Sequence, residues 1–462
     1  MSALAQRHEL HAAEEMPRSR SRATGRDAVG ARPLRVFVFP STYDCANVGD
    51  IAMLQMAISR VKETWPNASF DIVTRDAQAL HEHCPDARAV FFDSWFADHF
   101  LLGSVHDRLP RTLSQRVIAL KHAIRASIPA LEDAAIAARL LRHPGANQRY
   151  RALLSALQSA DLFLVSGASG PNDTFPGFAR ALFALLQRAI GMRKPCVVMG
   201  SAIGPINDPA LGRLAGSILP KVDLISLREK LIGAPLLASV GVNADRVVVT
   251  GDDAVELSYS QRSMSTGTAL GVNVRTMEPA HVGQAQLAVL ANVIESFVSE
   301  RGCEVVALPI ACRKQVDALA IQQVARGLIV PVEPKATPMS VIRRTAACRV
   351  VLTGAYHAAV FALSQGIPAV CVSNSRYFFE KFRGLQDMFG AGCQIVSLES
   401  PQAAETLSQA LAYAWENASA IRPTLLSAAQ NQIEAGQRAY RRIRSLVEAA
   451  PARPDRTATA LQ

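Results

Sequence analysis

Short apolar runs alternate with stretches of helical spacing along the chain, from Leu34 to about residue 450. The run LRVFVFP opens this alternation, and the stretch Arg349 to Asn374 repeats it as strand, turn, helix and strand. Units of this order build parallel α/β sheets. The turns that follow the strands of such a sheet meet at its carboxyl edge, where ligands usually bind. We therefore expect the residues in these turns to share one cleft.

A polar segment without periodicity, SYSQRSMSTGT, separates two sets of alternating elements. With 462 residues the chain also exceeds the size at which a single hydrophobic core keeps growing. A long, positively charged helical pattern interrupts the first set, and both ends of the chain are polar and lack periodicity. The predicted organisation is a disordered basic tail (1–33), a first α/β domain (34–257) with a helical insertion (about 93–160), a linker (258–268), a second α/β domain (269–400), C-terminal helices of a kind that often brace the first domain (401–450) and a disordered tail (451–462).

The balance of 49 basic against 39 acidic residues gives a formal net charge of +10. The excess lies partly near the two ends, where no aromatic stacking motif accompanies it, so we do not expect nucleic-acid binding. Solvated ends are the simplest interpretation, and contact with an anionic membrane surface is the alternative. No apolar window is long enough to span a membrane, and no signal-like core precedes Leu34. These patterns predict a cytoplasmic protein, with the inner face of the membrane as a further expectation.

Polar residues follow the first strands at positions suited to ligand binding. Asn47, Gly49 and Asp50 occupy the first strand-to-helix turn, where the Asp50 carboxylate either caps the helix or serves chemistry. Gly167 lies in a loop rich in Gly and Ser, whose backbone N–H groups can approach an anion. This loop matches neither GxGxxG nor the P-loop pattern, so we predict no dinucleotide cofactor.

The later strands carry most of the charged candidates. The adjacent carboxylates of Asp252 and Asp253 either raise one another's pKa for acid chemistry or cap a helix. His357 begins a helix, a position that disfavours the imidazolium form and suits a base or a donor to phosphate. Neither paired cysteines nor an HxxxH spacing occurs, so no metal site is predicted. The remaining candidates at strand ends or just beyond them are Arg228, Asn273, Arg275, Arg313, Thr353, Gly354, Tyr356, Tyr377 and Lys381.

Seven short motifs occur in the order typical of one enzyme family: NVGD, LVSGASG, SAIGP, SLRE, GDD, VNVR and FALSQGIP. Together they span roughly residues 34 to 400, and in this order they resemble the polysaccharide pyruvyltransferase family. Two departures stand out. The family's Ser-x-Arg-Leu-His motif is replaced by Thr353-Gly354-Ala355-Tyr356-His357, which puts Ala355 where the family carries arginine. Ala168 and Ser169 also break the family's triple glycine. A Gly-x-Tyr-His version indicates a distinct branch.

The resemblance implies two Rossmann-like domains that face each other across a cleft, as in GT-B glycosyltransferases. It also implies transfer of a pyruvyl ketal from phosphoenolpyruvate to a free or lipid-linked saccharide during bacterial polysaccharide synthesis. In this scheme His357 and Asp50 are catalytic, and Arg275 leads the cations that bind the donor. Two alternatives stay open: a glycosyltransferase that uses a nucleotide sugar, and a saccharide- or anion-binding protein without catalysis.

Overall fold

A computed structural model describes residues 33–92, 144–328 and 335–450, together with the isolated positions 110 and 113. Both predicted tails apart from Pro33, most of the predicted helical insertion and all of the predicted strand LIVPVEP but Leu328 lie outside the described residues. The insertion's last part is described and is a helix, Pro144–Ser159.

The first sheet has seven parallel strands in the order β3-β2-β1-β4-β5-β6-β7. Its central strands are apolar and buried along nearly their whole length, as expected for a parallel sheet that is covered on both faces. The strands are β1 (Arg35–Pro40), β2 (Ser69–Thr74), β3 (Ala87–Phe91), β4 (Leu162–Ser166), β5 (Cys196–Ser201), β6 (Leu224–Leu227) and β7 (Val247–Val249). The helices are α1 (Val48–Thr64), α2 (Ala77–His83), α3 (Pro144–Ser159), α4 (Pro176–Gly191), α5 (Pro209–Ile218), α6 (Gly233–Ser239) and α7 (Ala254–Tyr259).

The second sheet has five parallel strands in the order β12-β11-β10-β8-β9. Its strands are β8 (Ala269–Asn273), β9 (Val305–Ala307), β10 (Cys348–Thr353), β11 (Ala369–Ser373) and β12 (Cys393–Ser397). Its helices are α8 (Gln284–Arg301), α9 (Val316–Ala325), α10 (Pro338–Thr345), α11 (Tyr356–Ser364), α12 (Arg376–Phe389) and α13 (Ala403–Ala449). Two separate parallel sheets confirm the predicted two-domain α/β fold. In both sheets the order of the strands reverses beside a central strand, and this reversal opens a crevice at the carboxyl edge.

Helix α11 lies where the two domains meet. All 9 of its residues are buried, because the second sheet covers one side while α1 and α7 of the first domain pack in the same apolar cluster. Val48 and Met53 of α1 and Val255 of α7 contribute to that cluster. A helix that is apolar all round is stable only when it is enclosed in this way. Because α11 packs against both domains, the turn that precedes it keeps a fixed position relative to the turn that precedes α1.

Helix α13, 47 residues long, joins the two domains a second time. Leu407 and Leu411, in its first part, pack in a core of the second sheet. Tyr440 and Ile443, near its end, pack in a core of the first sheet. Helix α13 therefore packs against both domains. None of the helices in the described part of the chain has the length and apolar character needed to cross a membrane.

Candidate active site

A cavity of about 510 Å³ opens between the domains, at the loops that follow the strands of both sheets. Eight of the predicted site residues line it: Asn47, Asp50, Arg228, Arg275, Tyr356, His357, Tyr377 and Lys381. Arg313 lines it as well, at an exposed position where it pairs with Asp44 across the domains. The cavity has the size that encloses small organic ligands.

The first turn places Asp50 in the cavity wall and leaves its carboxylate available. Asn47 is the N-cap of α1, and its side-chain oxygen accepts hydrogen bonds from Gly49 N at 2.9 Å and Asp50 N at 3.3 Å. The interpretation that Asp50 merely caps the helix is therefore wrong, because Asn47 fills that role. Burial raises the pKa of Asp50, although His357, Ser41 and nearby cations oppose the rise. Asp50 thus holds its proton at a higher pH than an ordinary carboxyl group.

The second turn brings His357 against the first. Thr353 Oγ1 accepts a hydrogen bond from Ala355 N at 2.8 Å, and Ala355 begins α11 without a side-chain cap. The imidazole of His357 then lies directly over Gly49. A Cβ built at Gly49 would lie less than 3.0 Å from three side-chain atoms of His357, Cγ, Nδ1 and Cβ, and no side chain tolerates such a contact. Glycine is required in NVGD because the histidine of the other domain occupies the space of a side chain.

Asp252 lies behind the histidine. Its Oδ2 is 3.6 Å from His357 Nε2 and 3.5 Å from Arg228 Nη1, and its Oδ1 accepts a hydrogen bond from Ala254 N at 2.9 Å. Burial favours the neutral acid, but His357 and Arg228 outweigh it and hold the pKa of Asp252 below its usual range. Asp252 therefore stays ionised and supports both neighbours from behind the cavity wall.

Three cations face this acid–histidine group, and Tyr356 supports two of them. The Arg228 guanidinium lies 4.2 Å from the centre of the Tyr356 ring, and Lys381 Nζ lies 5.9 Å from the same ring and 4.2 Å from the Tyr377 ring. Burial, Arg228 and Arg275 lower the pKa of Lys381 well below its ordinary value, against the pull of Asp50 and Asp252. Like charges held together in this way favour a bound anion.

Several buried nitrogens in this group have no hydrogen-bond partner among the described residues: Arg228 Nη2, Arg275 Nε and His357 Nε2. Arg275 has one ionic neighbour, Asp317, whose Oδ2 is 3.9 Å from Nη1. Unpaired buried donors are costly, and at a binding site they are explained by a ligand that accepts hydrogen bonds.

The remaining predicted residues lie behind the cavity surface. Asp253, although adjacent to Asp252, accepts a hydrogen bond from Tyr440 Oη at 2.7 Å and pairs with Arg60 at 3.3 Å. Burial raises the pKa of Asp253, so the two neighbouring carboxyls shift in opposite directions. Four others contact protein rather than the cavity. Gly167 packs against Met53, and Gly354 packs against Arg275. Asn273 donates hydrogen bonds to Leu308 O and Asp317, and Thr353 donates one to Ala355 O.

The sequence reasoning missed an aromatic part of the lining. Tyr43, Phe175 and Phe178 line the cavity together with Arg75 and Glu278. Tyr43 and Arg75 follow β1 and β2, and Phe175 follows β4, so the rule that strand ends meet at one edge would have found them. Within the residues that the structure describes, no group of three or more His, Cys, Asp or Glu side chains could hold a metal ion.

Solved structures with the same architecture are GT-B-like enzymes. A candidate UDP-N-acetylglucosamine 2-epimerase from Listeria monocytogenes aligns with a TM-score of 0.53 at 14% identity, covering 92% of this chain and 99% of its own. The UDP-GlcNAc 2-epimerase of Neisseria meningitidis aligns with a TM-score of 0.51 at 12% identity, covering 90% and 100%. At such identities the likeness concerns the fold alone, and it confirms the GT-B-like prediction.

Sequence comparison identifies the family. The amylovoran biosynthesis protein AmsJ of Erwinia amylovora is 21% identical over an alignment of 223 residues that covers 42% of this chain. The chain spans about half of that relative, 52% of its length. A family model described as polysaccharide pyruvyl transferase matches residues 47–376, a range that contains Asp50, Arg228, Arg275 and His357 of the cavity lining but not Tyr377 and Lys381. The chain therefore belongs to the polysaccharide pyruvyl transferase family, which is a family of transferases.

Proposed function

We propose that this protein transfers a pyruvyl group from phosphoenolpyruvate to a saccharide, as a ketal, during the synthesis of a cell-surface polysaccharide. The observation that carries the proposal is the group of three cations that faces Asp50 and His357 in one interdomain cavity. Family membership supports the pyruvyl transfer, and the name of AmsJ supports a place in polysaccharide synthesis.

The donor explains the cations. Phosphoenolpyruvate carries a phosphate and a carboxylate, and guanidinium groups bind both kinds of oxyanion in a forked geometry. Arg228 and Arg275 each have a buried nitrogen without a hydrogen-bond partner. Burial and the charges of both arginines lower the pKa of Lys381. A bound anion would compensate these charges and favour the protonated form of Lys381. Arginine is absent at Ala355, so Arg228, Arg275 and Lys381 take over the binding of the donor.

Proton transfer explains the acid and the imidazole. Asp50, whose pKa is raised, donates a proton to the methylene carbon of the donor, and a saccharide hydroxyl bonds to the adjacent carbon. His357 accepts the proton of that hydroxyl, and proton exchange with solvent afterwards restores neutral His357 and protonated Asp50. A second hydroxyl of the saccharide then replaces the phosphate, which leaves with the proton of that second hydroxyl. The products are the pyruvate ketal and inorganic phosphate, and atoms and charge balance.

A ligand screen tests the donor. We expect phosphoenolpyruvate to raise the melting temperature, and UDP- and GDP-sugars to leave it unchanged. With an acceptor saccharide the protein should release phosphate, and the His357→Ala variant should not. Stabilisation by nucleotide sugars alone would favour a glycosyltransferase, and binding of both ligands without turnover would favour a binding protein.

Membrane contact and a cytoplasmic location stay predictions. Three of the C-terminal arginines that suggested a membrane surface have partners on the protein: Arg438 pairs with Glu434, Arg444 pairs with Glu448, and Arg442 donates to the Asp245 carbonyl. These three C-terminal arginines therefore give the membrane proposal little support.

A further inference from the structure

The cavity has two parts that differ in depth. His357 and Arg228, in the charged part, are only 5% and 2% exposed. Phe175, which lines the same cavity, is 38% exposed and therefore lies at its mouth. A volume of about 510 Å³ is also far larger than a three-carbon phosphoester requires. The outer part has room for a second ligand.

Four rings line the cavity, with Phe175 at its mouth, and we call them the aromatic wall: Tyr43, Phe175, Phe178 and Tyr377. Phe175 of the first domain meets Tyr377 of the second edge to face, with ring centres 5.7 Å apart. Tyr43 and Phe178 lie 5.7 Å apart and are inclined by 30°. Phe178 in turn packs at 5.3 Å on Phe39, a fully buried core residue. The wall is continuous with the core, so a ligand need not order it.

Phe175 is fixed by its local sequence. It precedes Pro176, which restricts its backbone, and its N–H donates to the buried Asn172 side chain at 3.0 Å. An exposed aromatic ring in a rigid position presents contact area at little entropic cost.

The wall adjoins the charged part of the cavity. Tyr377 contacts Phe175 on one side and carries the Lys381 amine over its ring at 4.2 Å on the other. Polar side chains, among them Asp44, Arg75 and Glu278, line the cavity beside the rings. Pyranose rings have apolar C–H faces and hydroxyl edges, so they match a surface that combines aromatic faces with carboxylates.

We propose that the aromatic wall binds the acceptor, with Phe175 stacking on a hexopyranose ring at the mouth of the cavity. The role as acceptor rests on the proposed pyruvyl transfer, whereas the binding of a sugar ring can be tested without it. Such a position leaves the deeper charged part to the donor and directs the sugar hydroxyls toward it.

Saturation-transfer NMR with methyl glucoside, methyl galactoside and methyl mannoside tests the site on the full-length protein. We expect signals from at least one of these hexosides with the wild type, a loss of roughly tenfold in affinity for Phe175→Ala, and near-normal binding for Phe175→Tyr, which keeps the ring. Phe379→Ala is the matched control, because Phe379 is 39% exposed and lies outside the cavity lining. It should bind the sugars normally.

Stabilisation by phosphoenolpyruvate, measured on the same variants, separates the two proposals. We expect all four proteins to respond equally to the donor, since the variants leave the charged part intact. Absence of any donor response with Phe175-dependent sugar binding would reject the proposed donor and retain the sugar site. Sugar signals that are absent from the wild type, or unchanged in Phe175→Ala, would overturn the inference whatever the donor does.

Discussion

Two strand-to-helix turns, one from each domain, meet at the cavity, and they are stabilised differently. The turn between β1 and α1 is complete in itself, because the Asn47 side chain caps the helix that presents Asp50. The turn between β10 and α11 has Ala355 at its N-cap, and it gains its order from Thr353 and from enclosure by the first domain. His357 takes its position partly from Gly49, on the other turn.

This difference shows that the site is a property of the packed domains. The backbone also links them there: Val48 N donates to Ile310 O at 2.9 Å, and Cys312 N donates to Ala46 O at 2.8 Å. Substitutions that disturb the contact between the turns should therefore abolish activity, and those that disturb only support behind them should act on stability.

The largest effect is expected for Gly49→Ala, which places a methyl group where the His357 ring lies. The ring must move, and a displacement of this kind costs on the order of a hundredfold in rate. Overpacking should also lower the free energy of unfolding by about 1–3 kcal/mol. Phosphate release and thermal melting measure both. Gly212→Ala is the control, because a Cβ there meets nothing closer than 4.0 Å: it should leave the rate unchanged and, inside a helix, raise the free energy of unfolding by about 0.5–1 kcal/mol.

Asp50→Asn should lower the rate by roughly a hundredfold or more, since the variant has no acid to donate. The stability of this variant, by contrast, should increase at neutral pH. A raised pKa in the folded state means that the stability contributed by Asp50 is present below the unfolded value, near 3.8, and is lost as the pH rises through the folded pKa.

The Asp50→Asn variant should therefore melt above the wild type at neutral pH, and the difference should vanish below pH 3.8. Asp86→Asn is the control of opposite sign, because the hydrogen bond from Lys62 lowers the pKa of Asp86. A lower melting temperature for Asp50→Asn at neutral pH would contradict the assignment of a strained, functional acid.

Tyr356→Leu restores the residue that the family's motif has at this position and removes the ring beneath Arg228. Loss of this cation–π contact should raise the KM for phosphoenolpyruvate on the order of tenfold, with a smaller effect on kcat. Tyr356→Phe keeps the ring and should behave like the wild type. Equal KM values for the Leu and Phe variants would show that the ring does not position Arg228.

The smallest effect on activity is expected for Asp253→Asn, next to the site in sequence but turned away from it. Since burial raises the pKa of Asp253, as it does for Asp50, and Arg60 keeps its pair with Glu256, the variant should be at least as stable as the wild type at neutral pH, while kcat stays within about twofold. Asp252→Asn is the matched comparison and should lose activity through His357 and Arg228. Denaturant unfolding and phosphate release distinguish the pair.

Much of the fold could be predicted, because buried parallel strands are apolar runs and the helices between them show helical spacing. The strand ends were recognisable for the same reason, and nine candidate residues, Arg313 included, do line the cavity. Of the aromatic wall, Tyr377 alone was predicted. Phe175 and Tyr43 follow strands β4 and β1, as the strand-end rule requires, but in sequence they resemble ordinary core residues.

The sequence by itself determined the alternation of strands and helices, the two turns and the family, because these depend on local spacing and on motifs in order. Tertiary structure alone decided which polar side chains reach the cavity. Asp252 supports His357 while Asp253 binds Arg60 and Tyr440, since successive side chains leave the backbone in different directions. Tertiary structure also explains the glycine at position 49. A histidine from the other domain occupies the space of a side chain there, and only the packing of the domains brings it to that place.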